Sequence, residues 1–230
     1  MGMVPINPKQ FCRKAAFSLM LFFAGAFLVQ SVWAAEAEAT AVLNAYHSTQ
    51  NTVLKRKALR MLSEDARVTG EAAAQWKKDL LLEAIGHKDP TVVESAVYQI
   101  KMLKLAEFNQ KLIGLYHNAG EVFANMYDSR VMIGIVNAFA ITGKGDNNVF
   151  SLFQDILNPE KTKFTYIQGD VLNAIKLLND PKYVPMVEKY NKYMQDAIAM
   201  KKAAGENIMM YQVLIGYSTI CEKIFQTHRR

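Results

Sequence analysis

The chain has almost no cysteine. It carries two in 230 residues, Cys12 and Cys221. Cys12 precedes the one long apolar run and no cysteine follows that run directly, so there is no lipoprotein site. If the start of the chain is removed on export, Cys221 alone remains, and one cysteine makes no internal disulfide. A disulfide-stapled fold is excluded, even in a compartment where bridges would persist. Histidine is scarce too. His47, His87, His117 and His228 are scattered, with no His-Glu-x-x-His and no Cys/His pair. No metal site and no cofactor is expected. The glycine-rich stretch Thr142-Gly143-Lys144-Gly145-Asp146 has neither a preceding strand nor a Gly-Lys-Ser/Thr, so it reads as a turn and not as a phosphate loop. Alternating strand patterns and Asn-Gly or Asp-Gly hairpins are missing. No nucleophile–base arrangement is visible, so no catalytic residue is assigned and the chain is not expected to be an enzyme.

What is present begins with an N-terminal signal. Lys9, Arg13 and Lys14 stand with no acid in the first 14 residues. An apolar run, AAFSLMLFFAGAFLV, fills residues 15–29. Val32-Trp33-Ala34 and Ala35-Glu36-Ala37 both fit a small-x-small cleavage pattern. These are the three parts of a secretory signal peptide. The sequence predicts a signal peptide over 1–34, cleavage between Ala34 and Ala35, and one helical domain over 35–230. The alternative is an uncleaved membrane anchor, although the run is short for a span of ~20 residues. Without residues 1–34, the 27 Lys and Arg become 24 against 21 Asp and Glu, a net charge of +3 in place of +6. The mature chain is therefore only mildly basic. An exported protein of this kind is not expected to meet nucleic acid, and the membrane enters only through a retained anchor.

From Ala35 onward the apolar spacing is helical. Asp89-Pro90 opens a helix over 90–103, with Val92, Val93, Ala96, Val97, Ile100 and Leu103 on one stripe. A break at Lys104–Glu107 follows, then a partner helix over 107–117 with Gly120 as its stop. Other predicted helices cover 35–47, a segment after Asn51 or Thr52 with Val53, Leu54, Ala58, Met61 and Leu62 on one face, and Glu71–Ile85. Further pairs start at Asp128-Ser129 and near Ile167, the latter's second helix reaching Ala204 before Gly205. A last helix runs from about Asn207 to Phe225, with Val213 in its stripe and His228-Arg229-Arg230 as a frayed tail. Asp89 to Asp128 spans 39 residues, Ala58 to Ala96 38 and Asp146 to Asp180 34. A helix–turn–helix unit recurring at that interval predicts an α-solenoid of about four to five stacked hairpins.

Ala174-x-x-x-Leu178-x-Asp180-Pro181-x-x-Val184-Pro185-x-Val187 resembles the HEAT repeat, in particular its bilin-lyase-like variant. The resemblance implies that the Asp-Pro-x-x-Val-Pro segment joins the two helices of a pair. Residues 140–149 resemble the same join, and Asp89-Pro90-x-Val92-x-x-x-Ala96 resembles a HEAT first helix.

The remaining features each carry two readings. Asp89, Asp128, Asp146 and Asp180 are read as helix caps, not as an acid cluster. Gly134, Gly169 and Gly216 lie inside predicted helices, where close approach of a neighbouring helix accounts for them; Gly169 alternatively marks a helix start at Asp170. Lys55-Arg56-Lys57-x-x-Arg60 and Lys77-Lys78 read as solvated helix faces or, more sharply, as contacts for acidic headgroups or an acidic partner. Cys221 reads as a buried, inert thiol or as half of an intermolecular disulfide. Tyr183, Tyr190 and Met194 fit a core face. Tyr193, Met200 and Met209 are the candidate interaction surface, because Tyr and Met are enriched at interface centres. The expectation is a non-catalytic helical-repeat scaffold, periplasmic or secreted, that binds a protein partner or itself. The alternatives are a small-molecule carrier or lyase-like protein, its ligand tetrapyrrole-type by the resemblance, and a membrane-tethered subunit.

Overall fold

The computed structural model describes residues 40–64, 75–122, 127–161, 165–207, 209 and 212–228. The predicted signal peptide with Ala34 and Ala35, most of the loop expected at Ser63–Gly70, and Met210 and Tyr211 lie outside these residues. The described residues form ten α-helices and no strand, so the chain is all-α. They are α1 (40–47), α2 (Thr52–Glu64), α3 (Gln75–Ile85), α4 (Pro90–Met102), α5 (Asn109–Val122), α6 (Tyr127–Thr142), α7 (Asn147–Ile156), α8 (Thr165–Leu178), α9 (Val184–Ala203) and α10 (Gln212–His228). Single 3-10 turns, Ala106–Phe108 and Pro181–Tyr183, lead into α5 and α9.

The caps explain where the helices start. Asn51 Oδ1 accepts the N–H groups of Val53 at 2.9 Å and Leu54 at 3.4 Å. Asp89 sits in extended backbone before Pro90 and accepts the Thr91 N–H at 2.8 Å. Asp146 accepts those of Asn148 and Val149 at 2.8 and 3.3 Å, and Asp180 that of Lys182 at 3.0 Å. Each bond satisfies an N–H that the first helical turn leaves free. The fourth expected cap, Asp128, lies inside the first turn of α6, and its side chain is outside the described residues. Two helices, α5 and the last one, depart from their expected bounds. Gly120 does not stop α5, which continues to Val122. The last helix starts at Gln212, five residues late, and includes His228. The join after α4 is closed by Lys104 in the left-handed region (φ 56°), with the Leu105 N–H donating to the Ile100 carbonyl at 3.1 Å.

The even-numbered helices form an unbroken series: α2 packs on α4, α4 on α6, α6 on α8 and α8 on α10. Four others lie against it, α3 on α4, α5 on α6, α7 on α8 and α9 on α10; among these four, α5 and α7 also pack on each other. One continuous apolar core runs from Val42 to Phe225. The stripe of α4 (Val92, Val93, Ala96, Val97 and Ile100) is wholly buried in it. Gly169 shows why a helix-interior glycine is tolerated. It lies well inside α8, and a Cβ there would stand 2.5 Å from the Tyr217 ring of α10. Gly134 is looser, its Cβ position 3.7 Å from Val97, and Gly216 has nothing within 4 Å, so close approach does not account for it.

One expected face is rotated. Val53 and Leu54 are exposed, and the buried stripe of α2 is Lys55, Ala58, Leu59 and Leu62. Lys55 is only 7% exposed. Its Nζ donates to the Tyr46 carbonyl at 3.0 Å and lies 4.0 Å from the Tyr46 ring centre. A long aliphatic stem buries well when its ammonium finds an oxygen and a π face. Lys77 is buried beside Trp76, and Lys78 pairs with Glu107 at 2.7 Å. The solvated-face reading therefore fails at Lys55 and Lys77. At the other end the expected α10 face is kept except at Val213, which is exposed: Cys221 and Ile224 are buried, and Leu214 and Tyr217 pack against the core.

Candidate functional site

Tyr193 lies in a groove between the end of α7 and the first half of α9. The groove holds about 440 Å³ and is floored by Leu157, Pro159, Met186, Tyr190 and Tyr193, with Asp155, Lys161 and Lys189 among its charged rim residues. The loop that forms one wall is fixed locally. The Asn158 N–H donates to the Asp155 carbonyl at 3.2 Å, the Lys161 N–H to the Asn158 carbonyl at 3.0 Å, and Lys161 Nζ to Asp155 Oδ1 at 2.8 Å.

Beneath the groove the packing is polar and satisfied. The Tyr190 hydroxyl donates to Gln168 Oε1 at 2.9 Å, and Gln168 Nε2 donates to the Ile156 carbonyl at 3.2 Å. This chain ties α9 to α8 and to the last turn of α7, so the floor is held by three elements. Burial pushes the Tyr190 phenol well above its ordinary range, which keeps it a hydrogen-bond donor. The Tyr190 and Tyr193 ring centres are 6.5 Å apart. Tyr193 is 45% exposed and lines the groove.

The other two expected surface residues are exposed but stand elsewhere. Met200, 67% exposed, follows Tyr193 by two helical turns on the same face of α9. Met209, 75% exposed, lies in the link to α10. Neither lines the groove. Leu157 and Pro159 were missed as floor residues because nothing in their spacing marks them; they reach the groove only through the turn that ends α7. The expected core residues Tyr183, Tyr190 and Met194 are buried.

A second cavity, about 500 Å³, opens between α2 and α4 and is lined by Arg56, Arg60, Ser63, Glu94, Ser95, Tyr98 and Gln99. The remaining candidates are structural. Asn109 Nδ2 donates to the Thr142 carbonyl (3.0 Å) and to Asp146 Oδ2 (2.9 Å), and the Thr142 hydroxyl donates to Asn109 Oδ1 (2.7 Å). Burial works to raise the Asp146 carboxyl, but the bonds from Asn109, Asn148 and Val149 and the charge of Lys182 hold it below the usual range. The glycine-rich turn is thus a joint. A Cβ on Gly143 would meet the Phe139 carbonyl at 2.7 Å. Cys221 is buried, and burial pushes its thiol up to about 12, which suits an inert side chain. Among the described residues no group of His, Cys, Asp and Glu is placed to hold a metal ion, and no helix is long and apolar enough to cross a membrane.

No family model matches the chain, and no curated protein or solved structure is similar to it.

Proposed function

We propose that the protein is an exported, non-catalytic α-solenoid of four to five helical hairpins that holds a protein partner in the cell envelope. The solenoid reading rests on the unbroken series α2, α4, α6, α8, α10, with a further helix laid against each of α4, α6, α8 and α10. Units that touch only their neighbours build an elongated stack with a long face on each side. The HEAT resemblance is supported at its best-matching segment. Asp180 caps a Pro181–Tyr183 turn that delivers the chain into α9 at Val184. Export rests on the basic start, the apolar run and the small residues at Ala34 and Ala35.

The observation that carries partner binding is the Tyr193 groove. It combines an exposed aromatic ring, an apolar floor and a charged rim, which is the anatomy of an interface anchor. Cross-linking and co-purification from the native envelope fraction, with intact-mass spectrometry, test the reading. The expected result is a stoichiometric protein partner, cross-links clustered on α9, and a mature chain starting at Ala35. Tyr193→Arg and Met200→Glu, with unchanged circular dichroism, are expected to release the partner. A chain recovered bare, or one carrying a small molecule, would move the assignment to a carrier. A mass that retains residues 1–34 would make it a membrane-tethered subunit.

A further inference from the structure

The cavity between α2 and α4 has features that packing does not explain. Arg56 and Arg60 stand one turn apart on α2 and line the same wall. Among the described residues neither guanidinium has a carboxylate within ion-pair distance, although Glu94 lines the same cavity. Arg56 Nε donates to the Ser95 hydroxyl at 3.3 Å, and that hydroxyl donates to the Thr91 carbonyl at 2.9 Å. One edge of the Arg56 fork is thereby tethered to α4, leaving the other edge for a ligand.

The opposite wall is α4, and there Gln99 is the anomaly. It is 1% exposed, it lines this cavity, and neither its amide oxygen nor its amide nitrogen has a hydrogen-bond partner. A buried carboxamide with both atoms unpaired is costly and rare, and it calls for a partner that a folded chain by itself does not supply. Its place on the stripe beside Val92, Ala96 and Ile100 would suit leucine at least as well. The volume, about 500 Å³, is far larger than one water's share of ~30 Å³.

We propose that this cavity binds an oxyanion-bearing ligand, with a carboxylate or phosphate group between Arg56 and Arg60 and the adjoining polar part of the ligand paired with the Gln99 amide. Planar guanidinium forks match both oxyanions. Glu94 on the rim disfavours a bare, multiply charged ion and favours a ligand with a hydrogen-bond donor next to its anion. The site is separate from the Tyr193 groove and does not depend on it.

The test titrates the purified protein, at low salt, with N-acetyl-trialanine as the free acid, with the same peptide as its C-terminal amide, and with inorganic phosphate. The expected result is millimolar or tighter binding of at least one oxyanion, weakened by added salt. Arg60→Gln, which removes an exposed side chain and leaves the melting temperature unchanged, is expected to weaken it roughly tenfold. Gln99→Met is expected to lower affinity severalfold while raising the melting temperature, because it removes the unpaired amide. Binding of the free acid but not phosphate places the anion at a peptide end; binding of phosphate alone places it on a phosphorylated small molecule. No binding of either oxyanion, binding of the amide as tight as that of the free acid when the peptide binds, or unchanged affinity in either variant overturns the proposal.

Discussion

Tyr46 and Tyr190 are both almost fully buried, one near each end of the helix series, and the fold uses them in opposite ways. Tyr190 is used through its hydroxyl, which donates to Gln168 and so joins α9 to α8. Tyr46 is used through its ring and its backbone. Its π face carries the Lys55 ammonium and its carbonyl accepts from it, while its own hydroxyl has no partner. The C-terminal end is therefore held by neutral polar links, to which the Ser218 hydroxyl adds another by donating to Asn191 Oδ1 at 2.8 Å. The N-terminal end is held by a buried cation. Equal burial does not mean equal dependence on the polar atom.

The largest effect is expected from removing that cation. Lys55→Ala deletes a charge-assisted hydrogen bond and a cation–π contact and leaves the Tyr46 carbonyl without its donor. The loss should be about 2–3 kcal/mol, read as a lower denaturation midpoint. If Lys55→Ala is neutral, the N-terminal end does not rest on the ammonium. Next comes Tyr190→Phe, which leaves Gln168 Oε1 unpaired beneath the groove. A loss of about 1–2 kcal/mol is expected, together with weaker partner binding at Tyr193 if the groove floor matters.

Tyr46→Phe should have the opposite sign. It removes an unpaired buried hydroxyl, so at neutral pH the protein should gain up to about 1 kcal/mol. The same substitution also changes the response to alkali. Burial, with the Glu83 carboxylate adding to it, pushes the Tyr46 phenol from 10.0 up to about 12. The folded state holds this proton more tightly than the unfolded one. The resulting stability is complete below pH 10 and is lost as pH rises through about 12. The wild-type midpoint should fall more steeply than that of Tyr46→Phe over this window. Parallel curves would mean that the phenol titrates alike in both states.

These contrasts also show which parts of the fold could be read from the sequence. Asn51, Asp89, Asp146 and Asp180 stand where helices begin because a short oxygen-bearing side chain before a helix meets free N–H groups whatever the tertiary context. The α4 stripe was legible for a similar reason, since six apolar residues at helical spacing have one way to be buried. The α2 face was not. Val53 and Leu54 read as core and Lys55 as its solvated flank, yet the helix is turned to bury Lys55 because Tyr46 offers it a carbonyl and a ring from another element. No local pattern announces a partner nine residues away. The groove was half legible: Tyr193 stood out by type, whereas Leu157 and Pro159 joined it only through the turn after α7. The Arg56–Gln99 cavity was seen only as a basic run, because Gln99 shares its stripe with apolar neighbours.

The smallest effects concern the joins, where the comparison can be made sharpest. Lys104 and Asn179 both follow a helix in the left-handed region, at φ 56° and 48°. A lysine Cβ is strained there, whereas asparagine, with a short side chain that bonds locally, visits this region more readily. Lys104 is exposed, so replacing it removes no packed side chain. Lys104→Gly should relieve the strain and raise stability by about 0.5–1 kcal/mol, and Asn179→Gly should gain less. Glycine also widens the unfolded ensemble, which offsets part of either gain. A larger gain at 179 than at 104, in paired chemical denaturation curves, would show that the Asp180-Pro181 turn strains its helix end more than the Lys104 join does.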